Sequence, residues 1–409
     1  MVDKNAREKF IMQTDYSTSQ ETIKLWQQLK QTPVLLADID SASGSALQRQ
    51  QKLRESYPAE LVRLGLDLHD LRLRAGDKFS QADRMWFTRQ SLEQTSSESL
   101  AEYKARRFQS KLDSIETIQD LCTGVGADAI ALSEVAPVIT YDLDPVMLQL
   151  ALWNAEVYER ESQITFQQQD VNELDVRGRV IHIDPDQRDA QGKRHRRLES
   201  IQPPLEVLQR MSQECYAGAI KLSPASNFGG KFPDCETELI SWQGECKQAV
   251  IWCGELAEPG LWRATVLPSG ESLVGDPLEA YPEFSEVSNF VYDPDPAVVR
   301  AGMINQLSEQ LGVARLDDAE EYLTSEERID SPFLSGFQVI ETLTRNETQL
   351  RKYLRKLDVG EVEIKCRHLR IDIEKVRKSL PLSGTKAITL IFARVGGKSK
   401  VIVCSRLTS

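Results

Sequence analysis

DLCTGVGADA, residues 120–129, is the stretch that decides the architecture. It sets Gly124 and Gly126 directly after an apolar run, TIQDLC (117–122), and before a helix-like one. Glycine at a strand-to-helix turn lets the backbone bend sharply and approach a ligand with no Cβ in the way. The loop alone is ambiguous. GVGADA also satisfies the dinucleotide fingerprint G-x-G-x-x-G/A, and Asp142 follows 18 residues after Gly124.

Outward from this loop, short apolar runs alternate with amphipathic ones, the rhythm of a βαβ sheet. The runs VITYDL (138–143), ITFQQQ (164–169), VIHID (180–184), GAIKLS (218–223), QAVIWC (248–253) and WRATVL (262–267) predict further strands. PVMLQLALWNAEVYER and PPLEVLQRMSQECY predict helices between them. The expected fold is α/β: a doubly wound, Rossmann-like sheet of seven strands over 113–275. Its last two strands, with no helix between them, form a final antiparallel hairpin.

Upstream, 1–112 reads as helical. TIKLWQQLKQ and AELVRLGLDLHDLRLRAGDKF space their apolar residues at three and four, SQADRMWFTRQSLEQ starts at Ser80, and Thr95 with Glu98 has capping-box spacing before LAEYKARRFQ. Residues 276–335 are acidic and proline-rich (YPEF, DPDP, DSPF), with one helical stretch at AVVRAGMINQLSEQLG, and read as a connector. Residues 336–409 mix strands (GFQVIET, EVEIKCR, KAITLIFARV, KVIVCSRL) with basic helices (NETQLRKYLRKL, DIEKVRKSL), a small α+β domain.

Composition excludes several classes. With 41% apolar and 27% charged residues the chain has the balance of a soluble globular protein. No window approaches the ~18 apolar residues of a membrane helix. The start MVDKNAREKF lacks the apolar core of a signal peptide, so a cytoplasmic location is expected. The seven cysteines form no C-x-x-C pair and the four histidines are dispersed, so neither a zinc site nor a disulfide framework is expected. The net charge of −12 is uneven: from Arg345 to Ser409, sixteen Lys and Arg face six Asp and Glu. An acidic body with a basic end points to a polyanionic partner met by that end.

Three aspartates separate the possible cofactors. Asp120 sits within the first strand, where a carboxylate suits a cofactor bearing a sulfonium and an ammonium and repels a pyrophosphate. Asp142 ends the second strand, where it can accept from both ribose hydroxyls, with Asp144 as a second candidate. Asp170 closes the third strand and can accept from an adenine amino group. Taken singly, each reads as a solvated strand end or helix cap. At successive strand ends they point to S-adenosylmethionine, with Cys122, Gly124, Gly126 and Asp128 completing the loop, in preference to a nicotinamide cofactor.

The fourth strand runs into HIDPDQRDAQGKRHRR. Ligands of doubly wound sheets bind at the carboxyl ends of the strands, so Asp184 and Pro185 are expected to face the transferable methyl. Asp184 can accept an N–H from an amine acceptor and help remove its proton; the plainer alternative is an Asp-Pro turn. Arg188, Lys193, Arg194, Arg196 and Arg197 can hold nucleic-acid phosphates, or form a solvated charged loop. No Pro-Cys dipeptide occurs, so a cysteine nucleophile finds no support.

DLCTGVGADA, YDLDPVMLQLALWNAEVY and IHIDPDQRD together resemble the bacterial class I S-adenosylmethionine-dependent methyltransferases that carry a C-terminal THUMP-like domain, and more distantly the trimethylguanosine-synthase-related group. LEQTSSESLAEYKARRF, YDPDPAVVRAGMINQL and GEVEIKCR share the resemblance, which covers the chain from about Gly76 to its end. It implies that Asp120, Gly124, Gly126, Asp142 and Asp170 line the cofactor and that Asp184, Pro185 and Arg188 form the reaction loop. One departure stands out: Asp186 and Gln187 replace the small residue and first arginine of the family's Asp-Pro-small-Arg-Arg. The aromatic that follows Asn-Pro-Pro in amino-methylating DNA enzymes is also missing, leaving Phe228 as the candidate to hold a base.

THUMP domains bind structured RNA, so the resemblance implies an RNA substrate; a base nitrogen is the expected acceptor. The cysteine and histidine spacing and the lack of a long apolar window predict no metal and no membrane partner. The basic faces Arg351, Lys352, Arg355, Lys356 and Arg377, Lys378 are compatible with phosphate contact. A methyltransferase for a protein or small molecule is the alternative. An RNA-binding protein that has lost catalysis, motivated by Asp186-Gln187, is another.

Overall fold

The computed structural model describes residues 19–186 and 197–407. The chain divides into two compact units. The first comprises the described part of 1–221 with 227–232 and 252–257; the second comprises 222–226, 233–251 and the described part of 258–409.

The first unit opens with helices: α1 (19–30), α2 (Pro33–Ser41), α3 (Ala46–Arg54), α4 (Ala59–Ala75), α5 (Arg89–Gln94) and α6 (Glu98–Lys111). The expected helix from Ser80 is turn and extended chain until Arg89. Thr95 is not the cap of α6 either. Glu98 is the first residue of that helix, and its carboxylate accepts from the Ser80 backbone and hydroxyl instead. The capping box belongs to Thr88 and Ser91, at the head of α5.

After the helices come β1 (Ile118–Leu121), α7 (Ala127–Leu132), β2 (Val138–Asp142), α8 (Pro145–Val157), β3 (Ile164–Gln168), β4 (Val180–Ile183), α9 (Leu205–Glu214) and β5 (Ala217–Leu222). The strands lie in the order β3-β2-β1-β4-β5, all parallel. The chain winds outward from β1 to β3, then returns to the other side of β1 as β4. That reversal opens a crevice at the carboxyl ends of β1 and β4.

The helices fix this crevice from one side. Trp26, Leu29, Leu35, Leu61, Leu68 and Phe87 share a core with Val125, Leu150 and Trp153. Asn154, buried on α8, receives from the Trp86 backbone at 2.7 Å and donates to the Trp86 and Val125 carbonyls at 3.1 and 2.9 Å. One amide therefore satisfies backbone groups of a helical-region segment and of the glycine loop together.

The second unit holds β6 (Glu236–Trp242), β7 (Glu245–Gly254) up to residue 251, β8 (Trp262–Leu267) and β9 (Glu271–Gly275). The expected hairpin of 248–253 with 262–267 is absent. β6 stands between β7 and β8, β8 runs parallel to β6, and β9 supplies the antiparallel partner. β6 escapes a sequence reading because Glu236 and Glu238 look like surface residues, yet both are fully buried. Arg263 donates to Glu236 at 2.7 Å and Thr265 to Glu238.

The rest of that unit is a seven-stranded sheet. Its strands are β10 (Phe290–Pro294), β11 (Ala314–Arg315), β12 (Leu323–Ser325), β13 (Leu334–Thr344), β14 (Val359–Cys366), β15 (Lys386–Val395) and β16 (Lys398–Arg406). The segment read as a connector thus supplies three strands, with β10 antiparallel to β13 from Phe290–Gln338 to Pro294–Leu334. It also holds α10 (Pro296–Ala301) and α11 (Ile304–Leu311), split at left-handed Gly302. α12 (Glu347–Leu357) and α13 (Ile373–Ser379) complete the unit, Leu350 and Leu354 of α12 packing against the sheet. Among the described residues no helix is long and apolar enough to cross a membrane.

Candidate active site

The loop after β1 bends through three left-handed residues: Cys122 (φ 63°), Gly124 (φ 55°) and Gly126 (φ 86°). The two glycines are needed for different reasons. A Cβ on Gly126 would lie 3.1 Å from the Cβ of Ala151 on α8, so this glycine permits helix packing. A Cβ on Gly124 would meet nothing within 4 Å; it borders open space, a cradle that a side chain would fill.

Asp142 closes the cradle. Its Oδ2 accepts from the Gly124 backbone N–H and its Oδ1 from that of Asp144, both at 2.9 Å. Burial raises its carboxyl to about 6 against the opposing effect of those two donors, so it is ionised at neutral pH. Leu143, which the sequence reading passed over, stands 61% exposed beside it, a large apolar side chain free to pack on a ring. Asp144 is corrected to a helix cap, its Oδ1 accepting from Val146 N at 2.8 Å. Asp170, half-buried beyond β3, caps the 3-10 turn Val171–Glu173 through Asn172 N. Cys122 lies partly buried in the loop, and burial pushes its thiol well up, against any role as a thiolate.

Two expected cofactor ligands point inward. Asp120 is 1% exposed; Thr140 donates to its Oδ2 at 2.9 Å and His182 Nδ1 lies 2.8 Å from its Oδ1. Asp128 is also buried, with Lys104 Nζ 2.6 Å from Oδ1 and the Ser96 hydroxyl donating to Oδ2 at 2.8 Å. Both are therefore corrected to members of a polar network beneath the loop. Lys104 Nζ also reaches His182 Nε2 at 3.1 Å and Ser96 Oγ at 3.3 Å. Because Lys104 donates to Nε2, the neutral ring carries its proton on Nδ1 and donates it to Asp120. Burial lowers the Lys104 ammonium, and Asp128 opposes that shift. Lys104, His182 and Ser96 gave no motif signal, since the network forms only across α6, α7, β1 and β4.

Asp184 follows β4, its backbone N–H donating to Leu121 O at 3.1 Å. This places it beside the end of β1. Pro185 is buried next to it. The sequence reading missed the partner of Asp184: Lys221 of β5 lies 2.6 Å from its Oδ2. Asp186 is exposed and accepts from the Gln94 side-chain amide at 2.7 Å. Arg188, Lys193, Arg194 and Arg196 lie outside the described residues; Arg197 is exposed. Phe228 is corrected: at 5% exposure it is a core residue with no open face for a base.

S-adenosylmethionine fits this arrangement, because the open cradle at Gly124, the carboxylate of Asp142 and exposed Leu143 converge at one edge of the sheet. A doubly wound sheet with that edge defines a class I methyltransferase. The RNA cap guanine-N2 methyltransferase model matches residues 115–224 and the THUMP domain-like model matches 334–406. An uncharacterized S-adenosylmethionine-dependent methyltransferase of Mycobacterium tuberculosis, from strains H37Rv and CDC 1551, is 31% identical over 343 residues, 80% of this chain and 92% of that one. A candidate methyltransferase of Porphyromonas gingivalis W83 has a similar fold, with a TM-score of 0.76 at 18% identity over 93% of this chain and 99% of that one. The chain belongs to the class I S-adenosylmethionine-dependent methyltransferases with a C-terminal THUMP-like domain.

Proposed function

We propose that the enzyme methylates a base nitrogen of RNA. The observation that carries this reading is the Asp184 carboxylate at the end of β4, beside the loop after β1. Bound at that loop, the cofactor supplies a methyl group on a sulfonium. The protein's task is then to present an acceptor lone pair in line and to take up the proton the acceptor loses. Asp184 does this for an amine: its carboxylate accepts an N–H and receives the proton. Asp142 holds the ribose hydroxyls and Asp170 the adenine amino group, while Gly124 leaves the cofactor room.

The match of 115–224 to a family described by guanine-N2 methylation supports an exocyclic base amine as acceptor. The THUMP-like region supports RNA. Its α12 exposes Lys352, Arg355 and Lys356, and α13 exposes Lys375, Arg377 and Lys378, which supply phosphate contacts.

The test is methyl transfer from labelled S-adenosylmethionine to total RNA and, separately, total protein from a strain lacking the enzyme. Label that nuclease removes from the RNA supports this reading. Label only in protein, or in neither, overturns it.

A further inference from the structure

We propose that Lys221, held by the Gln94 carbonyl, is the positioning residue that aims Asp184, so that Oδ1 of Asp184 is the atom that accepts the substrate N–H. The inference rests on the reading of Asp184 as acceptor of the amine proton and adds how that carboxylate is oriented.

Lys221 Nζ meets Asp184 Oδ2 at 2.6 Å and donates to the Gln94 backbone carbonyl at 2.9 Å. The two contacts fix the ammonium from opposite partners, one on the reaction loop and one at the end of α5. The Gln94 side chain turns to Asp186 at 2.7 Å. One residue of the helical region thus tethers both acids of Asp184-Pro185-Asp186, one directly and one through Lys221. Asp186, the acid that departs from the family pattern, is therefore engaged in holding the loop.

The division of the two oxygens follows. Oδ2 is taken by Lys221, and among the described residues no hydrogen bond is made to Oδ1. Asp184 remains 25% exposed while Lys221 is 11% exposed, so the carboxylate has an open side and its cation is set behind it. A charge-assisted contact of this length holds one rotamer of a short side chain far better than a neutral one. Without it, Asp184 would stand in an acidic neighbourhood. Asp128 on α7 pushes its carboxyl up, and beside Lys221 the opposing cation is Lys104 of α6, which is paired with Asp128 itself. Asp120 at β1 is occupied by the His182 ring of β4, and Asp186 on its own loop by Gln94. Burial already raises the Asp184 carboxyl, and Lys221 is the largest opposing influence.

The experiment compares wild type with Lys221→Met and Lys221→Arg. Single-turnover methyl transfer to total RNA from a strain lacking the enzyme is followed against pH, and S-adenosylmethionine affinity is measured by calorimetry. The Asp184 carboxyl is titrated by carbon NMR of protein labelled at aspartate Cγ, its signal identified with Asp184→Asn. Expected for Lys221→Met are a transfer rate lowered about 30-fold near neutral pH, cofactor affinity within threefold, and an acid limb and Asp184 titration displaced upward by about one pH unit. Lys221→Arg should recover most of the rate. A Lys221→Met rate within threefold of wild type with an unmoved Asp184 titration overturns the proposal. If wild type leaves RNA unlabelled, the RNA reading fails, and the Asp184 titration still decides the role of Lys221. Should Lys221→Met lose its melting transition, Lys221→Gln, which keeps a donor toward Gln94, takes its place.

Discussion

The ammonium of Lys104 lies 2.6 Å from Oδ1 of Asp128, both of them buried, and so ties α6 to α7 directly under the glycine loop. Two charges taken out of water are costly, and such a pair is tolerable only when the remaining protons and lone pairs are also satisfied. Hydrogen bonds from Ser96 to Asp128, from Lys104 to His182, and from His182 and Thr140 to Asp120 offset part of that cost. The ends of the network bracket the loop, since Asp120 lies in the strand before it and Asp128 in the helix after it.

Lys104→Met is expected to destabilise the fold by about 3–5 kcal/mol, because Asp128 would stay buried without its cation. Urea unfolding followed by tryptophan fluorescence measures this. A midpoint equal to wild type would mean that the network adds nothing to the fold.

In the role proposed for Asp142, cofactor binding should depend on pH. Its carboxyl, raised to about 6, must be ionised to accept from two hydroxyls. Affinity should therefore be flat above pH 7 and fall as pH drops through 6, about tenfold per unit below it. The sign for the unliganded fold is opposite: a carboxyl raised on folding favours the folded state most at low pH, and that contribution is lost as pH rises through 6. Calorimetric titration of S-adenosylmethionine from pH 5 to 8 tests the first statement. Asp142→Asn should bind weakly at every pH, and a wild-type affinity constant across that range would remove Asp142 from the pocket.

The two loop glycines should separate stability from binding. Gly126→Ala places a methyl 3.1 Å from Ala151 at φ 86°, and should cost about 1–3 kcal/mol of stability. Gly124→Ala meets no atom within 4 Å, so it should cost only about 1 kcal/mol of backbone strain while weakening cofactor binding severely. Melting temperature and binding affinity measured on both variants decide it; equal effects on both quantities would contradict the distinction.

Charge reversal of Lys352, Arg355 and Lys356 on α12 should weaken RNA binding about uniformly across sequences and shallow its salt dependence. Leu350 and Leu354, on the packed face of the same helix, are left untouched, so folding should be retained. Filter binding of total RNA at several salt concentrations is the measurement, and an unchanged slope would place the RNA surface elsewhere.

Much of this enzyme can be read directly from its residues. The switch between two-residue and three-to-four-residue periods marks β1 to β5, α8 and α9, because each element's burial pattern is a local property of consecutive side chains. Gly124, Gly126 and Asp142 are legible for the same reason: a tight turn and a strand end are local. The mixed α/β character of the basic C-terminal region is equally plain in its strands and amphipathic helices.

Other features were settled only when distant segments met. Asp120 and Asp128 look like cofactor ligands by position. Their carboxylates turn inward because Lys104 and His182, on other elements, offer charge and hydrogen bonds in a buried place. β6 hides its identity behind two glutamates whose partners, Arg263 and Thr265, arrive from β8. Residues 290–294 read as linker until pairing with β13 makes them a strand. In each case the deciding interaction joins residues far apart in the chain. The sequence carries the chemistry of each partner, but only the folded backbone sets which partner each side chain meets.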